Sequence, residues 1–115
     1  MQLYLDRFNP RDWDGVRELI TADARLSVAQ RFTGRLVDAP YFAKYALWPV
    51  PWKLEVGEVD GEPVVIILQC GADRWTPHSA VRLDVVGQGI ERIVDYRHCP
   101  WVIPAAASVS LAGPS

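Results

Sequence analysis

The stretch Trp52-Lys53-Leu54-Glu55-Val56-Gly57-Glu58-Val59-Asp60-Gly61-Glu62-Pro63-Val64-Val65-Ile66-Ile67-Leu68 decides the fold, because it reads as a β-hairpin from end to end. Leu54, Val56 and Val59 alternate with charged residues, the period-two pattern of a half-buried strand. Gly57 interrupts that pattern and is a candidate bulge position. Asp60-Gly61 tolerates the positive φ that a tight hairpin turn demands. The return run, residues 64–68, is apolar at every position and so belongs on a strand buried on both faces, in the middle of a sheet.

A second hairpin follows, from residues 79–86 through Gly87-Gln88-Gly89 to residues 90–98. Upstream, Leu26 and Val28 alternate with Arg25 and Ser27 as on another strand, which Thr33-Gly34 breaks. Asp38-Ala39-Pro40 starts a short helix bearing Tyr41, Phe42 and Tyr45, and Trp48-Pro49-Val50-Pro51 must end it. At the N-terminus, Leu3, Tyr4, Leu5 and Phe8 form the apolar stripe of a two-turn helix. Asn9-Pro10-Arg11-Asp12 restarts the chain, with Asn9 as expected cap and Pro10 at the first helical position. Trp13, Val16, Leu19 and Ile20 then recur at helical spacing. The uncapped first helix must lean on tertiary packing, or the chain is cut from a longer polypeptide. Residues 104–115 are small and read as a flexible tail after a domain spanning 1–103. Helices followed by four or five antiparallel strands make an α+β layout. A bent sheet wrapped around those helices would form a cone with one apolar mouth.

Composition narrows the function classes. The 115 residues suit one domain, and 50% hydrophobic against 23% charged is ordinary for a globular chain. Twelve Lys and Arg against fourteen Asp and Glu give a net charge of −2, which offers no broad basic surface for nucleic acid. No apolar run approaches the ~20 residues that span a bilayer. Cys70, Cys99, His78 and His98 lack metal-ligand spacing, so no metal site is expected, and no motif calls for a cofactor. Two thiols outside any disulfide framework suit a reduced, cytoplasmic setting.

Three motifs resemble a known family. Tyr4-Leu5-Asp6-Arg7-Phe8-Asn9-Pro10-Arg11-Asp12-Trp13-Asp14 is similar to the opening of SnoaL-like domains, within the nuclear-transport-factor-two-like superfamily. Val59-Asp60-Gly61-Glu62-Pro63-Val64-Val65 resembles the hairpin of that group, and Ile90-Glu91-Arg92-Ile93-Val94-Asp95-Tyr96-Arg97-His98 its last strand. The set is most similar to C-terminal domains of extracytoplasmic-function sigma factors. That resemblance implies a bacterial, ligand-sensing or regulatory domain, with a sigma-factor core or RNA polymerase as partner and a homodimer formed through the outer sheet surface. The superfamily also contains isomerases, cyclases and hydrolases, so the fold implies no single activity.

Two functions therefore stand side by side. The first is a binding domain for a small apolar ligand, lined by Tyr41, Tyr45, Trp48, Trp52 and His98. The second is a small acid–base enzyme using Asp95, Asp84 and Arg82. Asp95 occupies the position of the acid in the family's last strand. A turn at Gly87-Gln88 or at Gln88-Gly89 would place Arg82, Asp84, Asp95 and Arg97 on one sheet face. There Arg82 could hold one carboxylate ionised while desolvation raised the other. The plainer outcome for Arg82 and Asp84 is an exposed cross-strand ion pair. For the tyrosines and tryptophans it is core packing, and for His98 a strand-end surface position. The apolar inner strand, residues 64–68, lacks the Arg-x-Asp pair of the epoxide hydrolases in the superfamily, which argues against that chemistry.

Overall fold

The computed structural model describes residues 2–29, 31–71, 73–87, 89–99 and 101–111. Two short helices open the chain, α1 (Gln2–Phe8) and α2 (Trp13–Arg17). Tyr4, Leu5 and Phe8 bury the stripe of α1, and Val16 that of α2. The cap of α2 is Asp12, whose Oδ1 accepts from the Gly15 amide at 3.1 Å, and not the expected Asn9. Asn9 instead clamps the sheet: its Nδ2 donates to the Leu54 carbonyl at 2.9 Å, and its Oδ1 accepts from the Leu54 amide at 2.8 Å. Leu19 and Ile20, expected to prolong α2, leave the helix. The Leu19 carbonyl accepts from the Ile90 amide, and Ile20 begins β1 (Ile20–Val28).

A tight antiparallel return, β2 (Phe32–Arg35), leads through the 3-10 turn Leu36–Asp38 to α3 (Tyr41–Ala46). Then come β3 (Trp52–Val59), β4 (Glu62–Gly71), β5 (Arg74–Val86) and β6 (Gly89–Asp95). The Asp60-Gly61 turn has φ of 52° and 82°, the left-handed pair that its sequence called for. The sheet holds seven strands in the order β2-β1-β6-β5-β4-β3-β7, where β7 is Val109–Leu111. It is larger than the four or five strands expected, and it is not purely antiparallel. β1 and β6 run parallel, because the meander from β3 to β6 brings the chain back beside β1 in the same direction.

Curvature comes with breaks in register: one lies between Ile67 and Leu68 of β4, another between Asp84 and Val85 of β5. The concave face carries Leu26, Leu54, Val65, Ile67, Val81, Leu83 and Ile93 against α1, α2 and α3. The convex face carries a second cluster of Val64, Ile66, Leu68 and Ala80. The apolar run 64–68 is thus buried on both sides, between β3 and β5. A curved α+β cone is the outcome, as the sequence implied.

The segment expected to be a flexible tail is partly ordered. It holds the end of α4 (Val102–Ala105) and the edge strand β7, and Val109, with Ile103 just ahead of the segment, covers the convex cluster. Asp60 fixes it from both sides: its amide donates to the Ser108 carbonyl, and its carboxylate accepts from the Ser108 amide, each at 2.9 Å. Gly57 explains the close approach of β7. A Cβ there would collide with the Ser110 carbonyl and with Ile66, while the β3–β4 register runs through Gly57 without the expected bulge. Among the described residues, no helix is long and apolar enough to cross a membrane.

Candidate functional site

Asp95 ends β6 on the concave side and is 1% exposed, one of two buried polar or charged residues among those described. Three donors hold its carboxylate. The Tyr41 hydroxyl donates to Oδ2 at 2.6 Å and the Tyr45 hydroxyl at 2.7 Å, while the Arg97 amide donates to Oδ1 at 2.6 Å. Helical spacing in α3 makes this possible: residues four apart present their side chains on one face, so both phenols reach the same oxygen. Burial first, and the Asp95 charge second, push both phenols well above the ordinary tyrosine range. They therefore remain protonated donors at neutral pH. Tyr4 is raised for the same two reasons. Its own buried hydroxyl has no hydrogen-bond partner.

Beside this cluster lies a cavity of about 370 Å³. Leu26, Val28, Phe32, Ala39 and Pro40 give it an apolar wall, and Tyr41, Asp95, Arg97 and His98 a polar end. Arg31 and Lys44 stand at its exposed rim. The volume falls in the range of small-molecule pockets, roughly 300–1,000 Å³. Arg97 lies over the rings of Tyr45 and Trp48, with its guanidinium carbon 4.7 and 4.9 Å from their centroids. Its Nη1 is buried with no partner, and its Nη2 approaches His98 Nε2 at 3.4 Å. Partial burial, then the charges of Arg97 and Arg31, lower the His98 imidazole below its ordinary value.

The structure sorts the sequence-derived residues into three groups. Asp95, Tyr41 and His98 line the cavity, and Tyr45 supports it from behind through Asp95. Trp52 packs in an aromatic knot with Phe8 and Tyr45 and donates from Nε1 to the Tyr45 carbonyl; it does not line the cavity. Trp48 is half-buried between Tyr45, Arg97 and His78, again outside the lining.

Arg82 and Asp84 lie on the other side of the sheet from Asp95. Next to the turn, Val86 pairs with Gly89 and Val85 with Ile90, while Gln88, on which both expected turns fall, lies outside the described residues. One extra residue in β6 then shifts the ladder, so Asp84 faces Arg92, Arg82 faces Val94, and Asp95 faces Val81. The bulge reverses the face parity that an unbroken ladder would give. Val81 and Leu83 share the side of Asp95, and exposed Arg82 instead reaches Glu62 at 3.8 Å. Arg31 and Lys44 were not legible as site residues, because each is an unremarkable cation until α3 and β1 bring them to one rim. Arg97 carried a signal, since a strand running to residue 98 would put it on the face of Asp95; β6 in fact ends at Asp95, and Arg97 reaches the cavity from the turn that follows.

No family model matches the chain, and no curated protein matches it. Among solved structures, the "putative ketosteroid isomerase" from Kribbella flavida is 27% identical, with a TM-score of 0.56 over 81% of this chain and 70% of that one. An NTF2-like protein with a cystatin-like fold from Novosphingobium aromaticivorans is 17% identical, with a TM-score of 0.45 over 79% of this chain and 75% of that one. The curved α+β cone and the likeness to the Kribbella protein together support the nuclear-transport-factor-two-like, SnoaL-like superfamily for this chain.

Proposed function

We propose that the protein is a small-molecule-binding domain whose ligand occupies the cavity between β1, α3 and β6. The observation that carries this reading is the cavity itself: an apolar wall facing one polar end, at a volume suited to a small organic molecule. Asp95 supports binding more than turnover. Three of its lone-pair positions accept hydrogen bonds from within the protein, so it anchors α3 to β6 and shapes the pocket's end. The resemblance to sigma-factor C-terminal domains extends the reading to a sensor in a larger cytoplasmic bacterial protein, in contact with a sigma core or RNA polymerase. Promoter-binding helices encoded upstream in the same gene would support that setting, and their absence would remove it. A homodimer through the convex sheet surface belongs to the same proposal; α4 and β7 cover part of that surface, and sedimentation decides it.

A second reading, a small acid–base isomerase, draws on the buried carboxylate beside two phenols and on the 27% identity to the Kribbella protein. One experiment separates the two. The protein is titrated with a β,γ-unsaturated ketosteroid while thermal stability and the rise of the conjugated-enone absorbance are both followed. A saturable shift without absorbance change supports binding. Turnover that disappears in Asp95→Asn would establish the enzyme instead.

A further inference from the structure

The polar end of the cavity is cationic in balance. Arg31, Lys44 and Arg97 surround it, against the single carboxylate of Asp95. None of the three takes part in an ion pair among the described residues, whereas Arg7, Arg17, Arg35, Lys53 and Arg82 each meet an acid. Asp95 does not answer their charge at close range, because its oxygens are turned to Tyr41, Tyr45 and the Arg97 backbone. The Arg97 guanidinium is held flat over two aromatic rings, and it keeps a buried donor with nothing to donate to. A buried unpaired donor is costly, and a charged one more so, which makes a partner supplied from outside the favourable state. Burial lowers the His98 imidazole most, and the charges of Arg97 and Arg31 lower it further.

We propose that the cavity takes an amphipathic carboxylate, with its head on Arg97 beneath Arg31 and Lys44 and its body against Leu26, Val28 and Phe32. This rests on the ligand-binding reading above and adds the ligand's charge and polarity. A carboxylate matches the guanidinium better than a neutral carbonyl does, since both N–H groups on one edge can donate to its two oxygens. Phosphate would share the charge, but the apolar wall has no use for an ion without a hydrophobic body.

The test uses the whole chain and two probe pairs, naphthylacetate with naphthylacetamide and decanoate with decanamide. Each pair is nearly isosteric and differs in charge. Titration calorimetry is expected to show at least one acid binding about tenfold or more tightly than its amide, the increment of a charge-assisted hydrogen bond. Arg97→Gln should erase that preference while leaving amide binding within about twofold, and Arg97→Lys should restore part of it. Lys44→Ala and Arg31→Ala, both at exposed positions, should each reduce the preference by a smaller factor and serve should the Arg97 variants fold poorly. Acid and amide binding equally, with Lys44→Ala and Arg31→Ala without effect, would overturn the charge assignment and leave the pocket reading standing. Binding by none of the four probes counts against the pocket reading itself, and the inference falls with it.

Discussion

The two faces of the β5–β6 hairpin carry the same kinds of residue and treat them in opposite ways. On the concave face, Asp95 is withdrawn from water and held by two phenols and a backbone amide. On the convex face, Arg82 and Asp84 are exposed, and Arg82 reaches Glu62 at 3.8 Å with both side chains more than half in solvent. One extra residue in β6 decides which acid goes where. The lesson concerns energy as much as position: a buried carboxylate cannot lose a donor cheaply, while an exposed ion pair contributes about 1 kcal/mol at most.

The sharpest way to break the contrast is to remove each acid in turn. Asp95→Ala leaves the Tyr41 and Tyr45 hydroxyls and the Arg97 amide without their acceptor, and is expected to cost about 3 kcal/mol or more. Asp84→Ala should stay within about 0.5 kcal/mol. Urea unfolding with unchanged m-value measures both, and equal losses would dissolve the distinction.

Next in size come the tyrosines. Tyr45→Phe deletes a phenol that serves a buried charge, and should cost about 1–3 kcal/mol. Tyr4→Phe deletes a buried hydroxyl that serves nothing, and should be neutral or stabilising. A Tyr4→Phe loss as large as that of Tyr45→Phe would show that Tyr4 has a partner after all.

High pH probes the three buried phenols of the concave face. Tyr4, Tyr41 and Tyr45 titrate well above the unfolded value of about 10, chiefly through burial and then through Asp95. Their neutral forms are favoured in the folded state, so this stability is complete below about pH 10 and is lost as pH rises beyond it. Tyrosinate absorbance from these three should appear together with loss of the folded circular dichroism signal. Its appearance beforehand would mean that the phenols are open to solvent.

The smallest effect belongs to His98. Its lowered native value means that the unfolded chain binds the proton first, so stability falls as pH drops through about 6.5 towards the native value. Arg31→Ala removes one of the charges responsible, and should move the imidazole upward by NMR titration. No movement would place Arg31 too far away to matter.

The sequence made most of the cone legible, for reasons tied to particular residues. Asp60-Gly61 and the run 64–68 located a hairpin and its central strand without reference to anything distant. Leu19 and Ile20 misled because their spacing also suits a helix; pairing with Ile90 at the start of β6 claims them, and that contact joins residues about seventy apart. Arg82 and Asp84 misled for a related reason. Parity counted from a turn holds only until a ladder slips, and nothing local distinguishes Glu91 as the slip. Asp95 and Tyr41 could be named early, yet their direct bond joins residues fifty-four apart, and only the folded cone brings them together.

The small strand at the sheet border has a consequence for anyone handling the protein. β7 pairs with Gly57, Glu58 and Val59, so those backbone groups have a cross-strand neighbour that a second molecule would otherwise be free to supply. Cutting the chain ahead of Ser108 would bare that margin, and Gly57, lacking a side chain, could not fend off a visitor. Preparations shortened there should form strand-to-strand oligomers that the longer chain resists, a difference visible by light scattering before any change in ligand chemistry is sought.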